Sequence, residues 1–361
     1  MDYANPKLIV DRGTLQEGKI RWQSPSNIAL VKYWGKHGKQ LPRNPSISFT
    51  LTEAYTDTAL HYRPKTGTDQ GVSLEFFFEE KPNPAFANKV KSYLESLVPI
   101  FPFLRQLDMT IYSSNSFPHS AGIASSASSM SALALCLCGL ERRFFQTPES
   151  DAAFWQKASF LARLGSGSAS RSVFPIAGLW GKTLEIEGAS DLYAQPMGEE
   201  IHSVFHTFHD DILIVSRGEK AVSSRAGHQL MDDNPYASYR YQQARQNLHI
   251  LLPALKEGDL ETFGRITEQE ALTLHALMMT SHPPYLLMEP HSLAIIKRVQ
   301  DWRRETGVPL YFTLDAGPNV HLLYPDGYTD KVRDFIAQSL KSFCENEQII
   351  HDQVGEGPKE I

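Results

Sequence analysis

Asn115-Ser-Phe-Pro-His-Ser-Ala-Gly-Ile-Ala-Ser-Ser-Ala-Ser-Ser-Met-Ser-Ala-Leu133 is a loop of small residues that runs straight into a helical pattern. Pro118, Gly122 and their small neighbours let the backbone come close to a ligand, and Ser125, Ser126, Ser128 and Ser129 put hydroxyls and free amides at a helix start. Such a helix N-terminus holds an anion, because its first N–H groups are unpaired and its dipole is positive there. The anion that suits so bare a loop is a phosphate chain. A serine-rich cap with no ligand explains the same residues, and no G-x-x-x-x-G-K-[ST] Walker A motif occurs.

Working outward, residues 1–23 read as a short polar lead-in, followed by apolar segments at Asn27–Lys32, Ser46–Thr52, Thr56–Tyr62 and Val72–Phe78. Ser48, Thr50 and Thr52 alternate with Ile47, Phe49 and Leu51, the pattern of a half-buried strand. Helical spacing covers Phe86–Leu97, Ser128–Arg143 and Phe154–Leu164, and Met109–Tyr112 is a short strand feeding the serine loop. Strands are expected around Gly178–Ile186 and Asp211–Ser216, helices over Ala237–Leu255, Leu260–Met279, Pro290–Gly307 and Asp330–Phe343, and a strand pair at Tyr311–Asp315 and His321–Tyr324. Helices and strands are grouped rather than strictly alternating, so the fold class is α+β. Gly188 and Gly198 punctuate the chain at the expected division into residues 1–190 and 191–361.

The chain has 361 residues, 42% of them hydrophobic, enough for two domains or one large two-lobed unit. A net charge of −6 is no match for nucleic acid, so an anion site has to be local. Three cysteines without C-x-x-C argue against a disulfide framework or zinc site and fit the reducing cytoplasm; Cys136 and Cys138 read as core. No signal peptide and no membrane-length apolar run is visible.

Four further segments carry chemistry. Ser24-Pro-Ser-Asn-Ile-Ala-Leu-Val-Lys-Tyr-Trp-Gly-Lys36 sets Lys32 and Lys36 around Tyr33 and Gly35, a charged strand end or a clamp for a phosphorylated substrate. Gly165-Ser-Gly-Ser-Ala-Ser-Arg171 joins flexible backbone and hydroxyls to a guanidinium suited to gripping carboxylate or phosphate, and Val222-Ser-Ser-Arg225 repeats hydroxyls beside an arginine. Thr313-Leu-Asp-Ala-Gly-Pro-Asn319 places Asp315 at a strand end before a tight turn.

In this order, from about Ser24 to Gly317, the segments resemble the mevalonate diphosphate decarboxylases, in the superfamily of small-molecule kinases named for galactokinase, homoserine kinase, mevalonate kinase and phosphomevalonate kinase. The resemblance implies a two-lobed α+β fold: an N-terminal lobe with a left-handed βαβ unit and the ATP phosphate loop, a ferredoxin-like C-terminal lobe, and an active site in the cleft between them. It implies ATP-dependent decarboxylation of mevalonate 5-diphosphate to isopentenyl diphosphate, with Mg2+ arriving on the nucleotide, in a cytoplasmic homodimer without nucleic-acid or membrane partners. Asp315 is then general base or orienting charge, Lys32 its ionising partner and Arg171 the grip on the departing carboxylate. Tyr33, Lys36, Ser224 and Arg225 would hold the substrate phosphates, Ser166 and Ser168 would shape the pocket, and Gly122, Ser125, Ser126 and Ser128 would hold ATP. Ser170, where many members have Cys, and Phe174-Pro-Ile-Ala depart from the pattern. A decarboxylase of the monophosphate, a mevalonate 3-hydroxyl kinase and a silent phosphometabolite sensor are the alternatives.

Other polar groups read as structural. His202, His206 and His209 lie in a segment that reads as strand, which would put His209 on the opposite face, so no protein-held metal is expected there. Asp210 and Asp211 read as a solvated strand entry, with a hand in holding a magnesium ion as the alternative. The five tryptophans read as core.

Overall fold

The computed structural model describes residues 3–67, 69–118, 123–218 and 222–361, excluding the side chains of Ser224 and Arg225. The first half runs β1 (Gly18–Ala29), a small hairpin β2 (Lys36–His37) and β3 (Leu41–Pro42), β4 (Ser46–Pro64), β5 (Ser73–Phe78), β6 (Lys81–Pro82), α1 (Pro84–Leu97), β7 (Leu107–Asn115), α2 (Ser125–Phe145), α3 (Asp151–Gly165), β8 (Ala177–Trp180) and β9 (Ala194–Pro196). The second runs β10 (His209–Leu213), α4 (Ser224–Gln229), α5 (Ala237–Glu257), α6 (Leu260–Met279), α7 (Pro290–Thr306), β11 (Tyr311–Thr313), β12 (Val320–Tyr324), α8 (Thr329–Phe335), β13 (Ile349–Gln353) and β14 (Lys359–Glu360).

The larger sheet has the order β14-β1-β4-β7-β5-β6, with β8 also paired to β4 and β9 to β8. Strand β4 is long enough to pair with β8 at its start and β7 at its end. Strands β5 and β7 are adjacent and parallel, with α1 as their connection. Helix α2 lies against this sheet and α3. Ala134 to Cys138 show no exposure, so the helix reads as apolar nearly all round. The smaller sheet has the order β11-β12-β10-β13 with every neighbour antiparallel. Numbered from β10 as one, that is 2-3-1-4, the ferredoxin-like order. A shared core joins the two sheets, with Ile28, Ile47 and Phe49 packed among Phe205, Phe208 and Phe263.

Several expectations are corrected. The lead-in is not polar throughout: Leu8, Val10 and Leu15 are buried and β1 already begins at Gly18. Ser46–Thr52 and Thr56–Tyr62 are one strand. It bulges where Pro25 pairs with Tyr55 but Asn27 with Thr50. The Asp352 carboxylate accepts the N–H groups of Thr52, Glu53 and Ala54 in that bulge, each at 2.8 Å. The β4 start is not half-buried, since Ser46, Ser48 and Thr50 are as inaccessible as Ile47. The strand at Gly178 stops at Trp180, and the one expected over Asp211–Ser216 runs from His209 to Leu213. The segment read as strand before it contains a 3-10 turn at Ser203–Phe205. The last expected helix breaks into α8, a π turn at Ile336–Leu340 and a 3-10 turn at Lys341–Phe343. Among the described residues no helix is long and apolar enough to cross a membrane.

Candidate active site

Strand β1 ends at Ala29, and Leu30 and Val31 give their N–H groups to Ile47. The next residue, Lys32, is thus carried out of the sheet with its side chain buried. Its Nζ meets Asp315 Oδ1 at 3.0 Å, with the lysine side chain 2% exposed and the aspartate 23%. The ammonium therefore sits behind a carboxylate that keeps part of its surface exposed. Burial lowers the Lys32 pKa, while the Asp315 and Glu270 charges act the other way. Asp315 stands just past β11, and its carbonyl accepts from Gly317 N at 2.8 Å in the tight turn.

Arg171 lies buried next to this pair. Its Nε donates to Ser48 Oγ at 2.9 Å, one terminal nitrogen to Ser46 Oγ at 2.8 Å and the other to Asn27 Oδ1 at 3.2 Å. Ser46 and Ser48 are the polar side of β4, so their alternation marks a face turned toward a buried cation rather than toward water. A guanidinium has five N–H donors, so these three bonds leave one on each terminal nitrogen. Burial pushes the Arg171 pKa down to about 10, opposed by the Asp315 charge. The group stays charged at neutral pH.

Helix α2 begins after Ala124, which takes a left-handed conformation (φ 45°) and supplies no side-chain cap. The first turn has no acidic residue. Ser126 is exposed and Ser125 half-buried there. Ser126 Oγ lies 3.2 Å from Ser166 Oγ, itself 3.5 Å from Ser168 Oγ, so the two small-residue loops meet. Ser128 points the other way. Its fully buried hydroxyl bonds Thr56 Oγ1 at 2.6 Å, a tie that holds α2 to β4, and Ser125 O at 3.2 Å within α2. Gly122 lies outside the described residues, as do the side chains of Ser224 and Arg225, whose backbones open α4 behind the cap Ser223.

Tyr33 packs edge-on against Trp180 and beside the His228 ring, with centroids 4.8 and 4.4 Å apart. Burial raises its pKa, and its hydroxyl has no partner among the described residues. Gly35 has φ +94°, and a Cβ there would strike the Tyr241 hydroxyl, so only glycine fits. Its N–H donates to His228 Nδ1 at 2.9 Å. Burial presses the His228 pKa down to about 3, keeping that ring neutral. Lys36 stands on the small hairpin with Nζ 3.0 Å from Gln40 Oε1. The hairpin is tied to α3 through Arg163, which donates to Lys39 O at 2.6 Å.

Residues 24–191 fit the diphosphomevalonate decarboxylase-like N-terminal domain and residues 211–358 the mevalonate 5-diphosphate decarboxylase C-terminal domain. The chain is 30% identical over 335 residues to a diphosphomevalonate decarboxylase of Aspergillus fumigatus, covering 88% of this chain and 79% of that one. It is 31% identical over 327 residues to that of Saccharomyces cerevisiae, covering 87% and 79%. The chain belongs to the diphosphomevalonate decarboxylase family. The family's mevalonate diphosphate decarboxylase from Staphylococcus aureus superposes with a TM-score of 0.80 at 29% identity over 97% of this chain and 99% of that one. The solved MDDEF in complex with MVAPP, AMPPCP and magnesium also gives 0.80, at 27% identity over 96% and 99%.

Two groups read as surface or strand are placed differently. Asp210 and Asp211 are not solvated. Asp210 holds His321 Nδ1 at 2.9 Å, and Asp211 holds Tyr324 OH at 2.7 Å and His351 Nδ1 at 2.9 Å. His202, His206 and His209 are engaged separately, by Val204 N, Gly198 O and Asp326. Among the described residues no three His, Cys, Asp or Glu side chains gather as a metal site. The supporting groups of the site, namely Ser46, Ser48, His228, Arg240, Glu270 and His275, went unread as site residues. The one available signal was polarity at positions where a strand or helix pattern expects core.

Proposed function

We propose that the chain catalyses the ATP-dependent decarboxylation of mevalonate 5-diphosphate to isopentenyl diphosphate, ADP, phosphate and carbon dioxide. The observation that carries this reading is the buried Lys32 ammonium 3.0 Å behind the partly exposed Asp315 carboxylate, beside an arginine with two N–H groups to spare. The tertiary 3-hydroxyl is a poor leaving group. Its oxygen attacks the γ-phosphorus of MgATP while its proton passes toward Asp315, and ADP leaves. The C–O bond then breaks and phosphate departs with the bonding pair. The carboxylate C–C bond supplies the electrons of the new double bond as carbon dioxide leaves. Asp315 also faces the positive character that grows at the tertiary carbon, and Arg171 orients the carboxylate until it goes.

The uncapped α2 N-terminus with Ser125 and Ser126 takes the ATP phosphates on this reading. Tyr33, Lys36, Ser166, Ser168, Ser224 and Arg225 hold the substrate. Magnesium enters with the nucleotide, as the MDDEF complex with AMPPCP and magnesium supports. The enzyme works in the cytoplasm as a homodimer, which sedimentation of the purified chain tests. The deciding experiment supplies mevalonate, its 5-phosphate and its 5-diphosphate in parallel with ATP and follows ADP and carbon dioxide. Equal release of both from the diphosphate supports the reading. ADP alone indicates a kinase, release from the monophosphate moves the substrate, and no turnover indicates a binding protein.

A further inference from the structure

Beyond its side chain, Lys32 is held by its main chain. Its N–H donates to Glu270 Oε2 at 2.8 Å, and its carbonyl accepts from Arg240 at 3.2 Å and from Asn44 Nδ2 at 3.1 Å. Glu270 is gripped by both terminal nitrogens of Arg240 and by Asn247 Nδ2 at 2.6 Å. The Arg240 and Glu270 side chains are 1% and 0% exposed. A fully buried ion pair costs several kcal/mol of desolvation and is a poor source of net stability. This one sits where the chain leaves β1 and ladder bonds no longer fix the backbone. One turn and a half further along α6, His275 Nε2 lies 3.1 Å from the Asp315 carbonyl. A carbonyl only accepts, so Nε2 carries the proton. Both ends of the ion pair are thus tied by backbone bonds to one helix, at positions about 7.5 Å apart along its axis.

We infer that α6 acts as a spacer for the reacting pair: Glu270 positions Lys32, His275 positions Asp315, and together they set the distance between ammonium and carboxylate. The inference rests on the proposed decarboxylation. The charged and titratable groups facing Lys32 are Asp315 from the loop after β11, Glu270 from α6, Arg240 from α5, Arg171 after α3 and Asp210 on β10. Glu270 and Arg240 both touch its backbone, Glu270 as the acceptor of its N–H, and the negative charge of Glu270 also favours the protonated ammonium.

The test is Glu270→Gln in the full chain beside wild type, with mevalonate 5-diphosphate and ATP. Gln keeps an acceptor for the Lys32 N–H but loses the charge and the double grip of Arg240. We expect kcat to fall at least about tenfold, since small displacements of reacting groups cost up to ~100-fold, with the KM for ATP nearly unchanged. The alkaline limb of the kcat/KM profile should move to lower pH, because removing a negative neighbour makes Lys32 lose its proton more easily. His275→Leu should lower kcat without moving that limb. A purely structural role would lower the melting temperature and, well below that temperature, leave both kcat and the limb in place. Should Glu270→Gln not fold, Glu270→Asp and His275→Leu carry the test, with kcat reduced in both and the limb unmoved. Unchanged kcat in the folded variants overturns the inference alone. A wild-type chain that releases no carbon dioxide overturns the proposed reaction, and the inference with it.

Discussion

Replacing Asp315 by Asn is the sharpest perturbation, because shape is retained and one charge is removed. The main-chain bonds that place the residue, from Gly317 N and His275, do not involve the carboxylate and should persist. At 3.0 Å, with an effective dielectric constant of about 20, the lost attraction to Lys32 is roughly 5.5 kcal/mol. Much of that is offset by solvation of the partly exposed carboxylate, and Lys32 can answer by losing its proton, so folding stability should fall by only about 1–2 kcal/mol. Turnover should suffer more. A positioned base is worth about 10²–10⁴-fold and a charge aimed at the transition state adds to it. We therefore expect kcat to fall about 10³-fold, or ~4 kcal/mol of barrier. Nucleotide affinity should stay near wild type, because the α2 N-terminus is untouched. The assay is steady-state release of ADP and carbon dioxide with calorimetric titration of the nucleotide. A variant within about tenfold of wild type, ~1.4 kcal/mol, would refute the catalytic assignment.

Ser126→Phe should weaken nucleotide binding at least about tenfold by calorimetry, since phosphate needs bare backbone there; Ser128→Ala should leave that affinity alone and cost about 1 kcal/mol of stability by denaturant titration, through its lost bond to Thr56. Arg171→Lys should lower kcat/KM by about 10- to 150-fold, because a point charge cannot serve Ser48, Ser46 and Asn27 and still present a fork. It should bind a mevalonate analogue without the carboxylate as wild type does, and discrimination equal to that with the true substrate would show that Arg171 reads phosphate. Burial raises the Asp352 carboxyl to about 6, against the pull of its backbone N–H partners. The folded state then holds this proton more tightly than the unfolded chain, so its contribution to stability is fully present below about pH 4 and is lost as pH rises through about 6. The stability difference between wild type and Asp352→Asn should shift in that direction over that window, and a carbon-13 NMR titration of the Asp352 carboxyl with its midpoint below pH 5 would refute the placement.

The long helices were legible because their apolar spacing is local: α6 begins and ends where the pattern places it, and α5 and α7 differ only at their last residues. Lys32, Arg171 and Asp315 were picked out by short motifs that each contain a glycine, and their roles came from the family resemblance those motifs carry together. Illegible were the features decided by distant partners. Asp210 and Asp211 look like a solvated entry until His321, Tyr324 and His351 are brought across from β12 and β13. The β4 bulge looks like a break between two strands, because the carboxylate that satisfies its N–H groups lies 298 residues or more away. Ser128 shares the serine-rich stretch with Ser126, yet the helical turn sends one into the β4 contact and the other to the loop.

The same division explains where the site's rigidity comes from. Lys32 contacts Asp315 across 283 residues of sequence and Glu270 across 238, and Arg171 reaches back 144 to Asn27. Each link closes a long loop, an entropic cost that grows only slowly with length but is met only when the whole fold forms. A partly folded chain would therefore hold the motifs without the pair, and the Asp315 carboxylate would lack the buried ammonium that favours its ionised form. Chemistry and global folding are coupled here through charge placement: the ammonium is tolerable in the interior only once Asp315 and the α5–α6 network have arrived around it. Local opening around the pair should accordingly return the Lys32 pKa toward its ordinary higher value, since water then replaces the burial that lowers it, and hydrogen exchange at the Lys32 N–H should track the opening of α6, whose Glu270 accepts from it, rather than that of β1.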